Sequence, residues 1–191
     1  MIDVKLRNTP LRYGAMALTI HWLTVALVLI AWLLGIFGDA LPRGAARAGG
    51  LLVHIWAGLA VLSLLVARVA WRIGDAPPPP EPTVLGAWGE HAARIGHFAL
   101  YALLAAVPLV GIAVQFGRGR PLSIFGLFEI ASPWVADRAF ARSAREVHEL
   151  LAHALVILAA LHAAAALVHH WLLRDRTLKR MLPRWGGLGL S

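Results

Sequence analysis

The stretch VHELLAHALVILAALHAAAALVHHWLL, residues 147–173, decides the fold. It exceeds the roughly 20 apolar residues that a helix needs to cross a bilayer, and its only acid is Glu149. Within it His148 and His162 stand 14 residues apart. In an α-helix that spacing is four turns less about 40°, so both rings leave one face about 21 Å apart along the axis. One ring then lies near each membrane surface.

Three more apolar runs precede it: 15–37 (AMALTIHWLTVALVLIAWLLGIF), 51–71 (LLVHIWAGLAVLSLLVARVAW) and 95–116 (IGHFALYALLAAVPLVGIAVQF). Each can span a hydrocarbon core about 30 Å thick. The expected fold is an all-α, integral membrane four-helix bundle, a single domain over residues 1–191. The composition agrees, since 59% of the 191 residues are hydrophobic and 15% charged, well outside the soluble globular range. The first run is too long for a signal-peptide core and lacks a cleavage site, so it reads as a retained helix. Pro108 should kink the third helix, a tolerable feature inside a bundle. The small residues of AHAL and HAAAAL, with Gly58, permit close approach of a helix or a flat ligand. The link 38–50 is short and Gly-rich; 72–94 contains PPPPEP and cannot be helical there; 117–146 carries Trp134 among arginines and suits the interface.

A net charge of +8 raises the question of nucleic acid, but the basic residues cluster at the ends of the apolar runs, so no nucleic-acid partner is expected. They orient the chain instead. Lys5, Arg7, Arg12, Arg68, Arg72, Arg94, Arg174, Arg176, Lys179, Arg180 and Arg184 fall on the side of both termini, against Arg43, Arg47, Arg118, Arg120, Arg138, Arg142 and Arg145 on the other. The excess places both termini in the cytoplasm.

All nine histidines lie in or beside the apolar runs, where ionisable groups are costly and usually mark a site. His21 is near the cytoplasmic end of the first helix and His54 near the outer end of the second. Depth therefore pairs His21 with His162 and His54 with His148. Two histidine pairs from opposing helices, one per leaflet, are what two stacked haems b require. Zinc would want three or four ligands converging at one depth, with carboxylate or cysteine among the usual choices. With no cysteine, neither an iron–sulfur cluster nor covalent c-type haem is available, so the haem is non-covalent. His169, seven residues beyond His162, and His97 at the same end could reach one further ligand. A quinone suits them, because its carbonyls want donors and its reduction needs protons; histidines facing lipid headgroups are the plainer alternative. His153 is rotated about 140° from His148 and His170 is rotated off the stripe of His162 and His169, and both, with His91, stay outside the ligand set. Arg43, Arg47, Arg68 and Arg72 could pair with haem propionates or anchor at the bilayer surface.

With these residues in view, the chain resembles the bacterial cytochrome b561 family, most closely its superoxide:ubiquinone oxidoreductase (superoxide oxidase) members. The resemblance rests on LHAAAALVHHWLLRDRTLKRMLP at 161–183, TIHWL at 19–23, VHE at 147–149 and IGHFALYALLAAVPLVG at 95–111. It implies that His21 and His162 ligate one haem b, His54 and His148 the other, and that His97 and His169 contact quinone. It also implies an oxidoreductase of the bacterial inner membrane, in which superoxide gives electrons at the outer haem and ubiquinone becomes ubiquinol near the cytoplasmic one. An outer rim of Arg118, Arg120, Arg138, Arg142 and Arg145 would draw an anion such as superoxide. Val147 stands where the family often has a Trp. The alternative is an electron-transfer subunit that links a partner dehydrogenase or hydrogenase to the quinone pool.

Overall fold

The computed structural model describes residues 6–79, 81 and 86–182. Lys5 and Arg184 of the charge count, and Pro183 of the resembling segment, lie outside the described residues. The chain forms α1 (Ala15–Phe37), α2 (Ala45–Gly74), α3 (Gly86–Gly117) and α4 (Arg138–Trp171). A short 3-10 turn at Gly38–Ala40 follows α1, and a small hairpin of β1 (Leu122–Ile124) and β2 (Phe128–Ile130) precedes α4. All four helices are long and apolar enough to cross a membrane, and at most 17% of the most apolar window of any of them is buried inside the protein. Apolar side chains such as Leu29, Ile30 and Leu33 therefore face outward, which is favourable only in lipid. This is an integral membrane protein.

Apart from α1, the helices begin ahead of the apolar runs that announced them. The apolar run marks hydrocarbon depth, whereas the helix continues into the headgroup region as long as its backbone stays hydrogen-bonded. At α4 the start is explicit: the Asp137 carboxylate accepts from the Ala139 and Phe140 amides at 2.9 and 3.0 Å, capping the first turn.

Helices α1 and α2 pack as one antiparallel hairpin, α3 and α4 as another, and α2 joins the two through α3. At mid-depth Val61, Leu65, Leu104 and Leu155 form the buried core. Leu155 is midway along α4 between His148 and His162, so an apolar layer separates the two histidine levels. At the end where the described residues begin and finish, Arg180 ties three segments together, donating to the carbonyls of Pro10, Leu11 and Pro79 and pairing with Glu81 at 3.1 Å.

The β-hairpin is a departure from the purely helical expectation. Its strands pair Leu122 with Ile130 and Ile124 with Phe128. The turn between them holds Phe125 and Gly126 at φ 51° and 73°, a primed turn of the kind that matches strand twist. Gly126 is favoured at its position by the positive φ, and it packs in ordinary contact beneath the indole of Trp56.

Candidate functional site

At the loop end of the bundle, His54 of α2 and His148 of α4 face each other with ring centres 5.9 Å apart and planes inclined at 75°. Each is held by a neighbouring helix. His54 Nδ1 donates to the Ala31 carbonyl on α1 at 2.7 Å, and His148 Nδ1 to the Val107 carbonyl on α3 at 2.9 Å. A carbonyl oxygen can only accept, so Nδ1 carries a proton, and in the neutral form of each ring the lone pair is then on Nε2. That is the form in which imidazole binds a metal. His91 and His153 also donate through Nδ1, but to the carbonyls of Ala87 and Glu149 one turn back on their own helices. Those two are satisfied locally.

The residues fit a haem on three grounds. Two imidazoles on opposite faces of one iron, each nitrogen about 2 Å from the metal, have ring centres roughly 6 Å apart, close to the spacing of His54 and His148. All four helices border an open cleft, with about 480 Å³ of empty space that includes its open mouth, lined by His54 and His148 together with Trp32, Gly58, Pro108 and Leu155. The indole N–H of Trp32 is buried there with no hydrogen-bond partner among the described residues, and so is available to a bound group. A second opening of about 380 Å³ continues from the same histidines to Gln115 and to Leu122 of the hairpin. Among the described residues no three or more His, Asp or Glu side chains converge as a metal cage would need.

The terminal end holds His21, His97 and His162. His97 and His162 have ring centres 5.3 Å apart, and His21 lies within electrostatic reach of both and of Arg68. Depth alone pairs His21 with His162, but the ring that stands against His162 is that of His97, while His21 stands against Trp22. His169, farther along α4, donates from Nδ1 to the carboxylate of Asp175, which also accepts from the Thr177 amide at 2.9 Å. Burial pushes the Asp175 carboxyl upward, but hydrogen bonds from His169 and Thr177 outweigh it and hold the group below the usual carboxylate range. This dyad was not foreseen, although an acid six residues after a histidine at a helix end was there to be noticed in HHWLLRD. Arg47 is engaged by its own loop, donating to the carbonyls of Asp39 and Leu41. On the rim above His148, Arg145 pairs with Glu149 at 2.7 Å, while burial, then Arg145 and Arg120, lower the pKa of Arg118.

A four-helix membrane bundle with histidines grouped at two depths defines the class of membrane b-type cytochromes. The chain belongs to the prokaryotic cytochrome b561 family, whose model matches residues 12–184. It is 37% identical to "Cytochrome b561 homolog 2" of Escherichia coli (strain K12), over 92% of this chain and 93% of the relative. It is 33% identical to "Probable superoxide oxidase CybB" of Yersinia pestis, over 92% and 98%. It is 31% identical to "Cytochrome b562" of Cereibacter sphaeroides, over 89% and 94%. Membership makes this chain a membrane electron-transfer protein and implies haem b as its cofactor.

Proposed function

We propose that the chain is one four-helix domain binding two haems b that oxidises superoxide and reduces ubiquinone, in the bacterial inner membrane with both termini in the cytoplasm. The observation that carries this reading is the grouping of histidines at two depths of one bundle, with an apolar layer between. His54 and His148 hold the outer haem, His21 and His162 the inner one, and His97 and His169 meet the quinone. Haem supplies reversible one-electron transfer at each level. Two superoxide anions each give up one electron and become dioxygen; ubiquinone takes both electrons with two protons and becomes ubiquinol. The arginine rim concentrates the anion at the outer level. At the inner level, His169 keeps a proton on Nδ1 toward Asp175, which leaves Nε2 to deliver a proton to a quinone oxygen while the carboxylate stabilises the imidazolium. The name of the Yersinia relative favours the superoxide reaction over other electron sources.

The test is to mix purified protein with superoxide and a ubiquinone analogue, with no other protein present. Rapid haem reduction followed by quinol formation is expected. The alternative, a subunit serving a partner dehydrogenase or hydrogenase, has one feature in its favour: β2 is fully exposed, with Phe128 and Ile130 on an open strand edge that a partner could cover. If neither reduction nor quinol appears until a partner is added, that reading prevails.

A further inference from the structure

The two loop-end histidines are seated in the same way on two different helices. The carbonyl that His54 reaches, Ala31, lies four residues before Gly35 on α1, and the carbonyl that His148 reaches, Val107, lies four residues before Gly111 on α3. In each case the glycine is the surface against which the ring lies. A Cβ at Gly35 would stand 3.4 Å from His54 Cε1 and 3.7 Å from its Nδ1. A Cβ at Gly111 would stand 3.1 Å from His148 Cε1 and 3.4 Å from its Nδ1. Glycine inside a helix sacrifices about 1 kcal/mol relative to alanine, so its recurrence at both contacts calls for a reason.

We infer that Ala31 with Gly35, and Val107 with Gly111, are matching seats that fix the proton position and ring plane of His54 and His148, so that both present Nε2 to one iron. The inference rests on the proposed ligation of the outer haem by these two histidines. The carbonyl sets which nitrogen carries the proton, and at Gly111 the missing Cβ lets the ring approach that carbonyl, while at Gly35 the ring lies in ordinary contact with the glycine face. The four residues are positioning residues; none of them touches the iron. The two seats together set the 75° between the ring planes. Gly111 is the tighter seat, because an added methyl at 3.1 Å obliges the ring to move, whereas 3.4 Å at Gly35 is ordinary contact.

The test compares Gly111→Ala, Gly35→Ala and, as a control with open space around it on α2, Gly49→Ala. Readouts are haem per chain, and the low-spin ferric EPR signal, whose anisotropy reports the angle between axial imidazole planes. Gly111→Ala is expected to weaken outer-haem binding about 10- to 100-fold, as loss of an outer-shell partner does, or to retain that haem with an altered EPR signal. The inner haem stays and reports that the bundle is folded, and its spectrum matches the haem remaining in His148→Ala. Gly35→Ala keeps both haems with a smaller EPR change, and Gly49→Ala matches the wild type. The seats are overturned if Gly111→Ala equals the wild type in both readouts, or loses both haems together. If the wild type itself binds fewer than two haems, or His148→Ala keeps two, the ligation reading fails and the seats fall with it.

Discussion

His54 and His148 stand apart from His91 and His153 by where their Nδ1 protons go: across to another helix rather than back along their own. A histidine bonded to its own helix is complete without a ligand. One bonded across the bundle has its ring aimed, with Nε2 left over. From this we expect His54→Ala to remove the outer haem and spare the inner, halving the haem measured per chain and leaving a single reduced-minus-oxidised spectrum. Asp175 carries a second prediction at this scale. If it steadies the His169 imidazolium, Asp175→Asn slows quinol formation by about tenfold or more at unchanged haem content, measured by single-turnover oxidation of the pre-reduced protein. The Asp175 carboxyl has its pKa lowered in the folded protein from an ordinary value of 3.8. Its contribution to holding the segment after α4 is therefore fully present above that value and is lost as pH falls through the lowered pKa. Proteolysis of the segment 172–182 should accordingly accelerate as the pH falls below the ordinary carboxylate range.

At the scale of elements, the helices were legible and their ends were not. The apolar runs reported hydrocarbon depth, which is why α1 coincides with its run while α4 begins at Arg138, well before Val147. The cap at Asp137 marks that true start, and Asp137→Ala should cost about 1 kcal/mol and speed hydrogen exchange of the first-turn amides of α4. The hairpin at 122–130 went unseen because three-residue strands give no period to count, although Gly126 marked the turn. The seats at Gly35 and Gly111 were out of reach for another reason. They depend on the register of α1 against α2 and of α3 against α4, and no spacing within one helix encodes that register. Arg180 shows the same limit: basic count alone reads it as an orienting charge, yet it is buried and bonded to three carbonyls from two other segments. Arg180→Ala leaves those carbonyls unpaired and should destabilise the terminal end by on the order of 2 kcal/mol, seen as faster cleavage near residues 76–81.

Across the whole molecule, the histidine levels were readable from sequence because membrane depth follows residue number along a helix. His148 and His162 gave both levels from one helix, and Leu155 midway marks the apolar layer between them. What depth could not tell was which rings meet, and at the terminal end His97 joins His162. The proposed orientation follows from charge, and a reporter fused after Ser191 should be active only in the form that works in the cytoplasm. If each histidine level grips one haem, the purified wild-type protein carries two non-covalent haems b per chain, and a pigment and protein assay on the same sample counts them. Two are expected; one or none refutes the assignment.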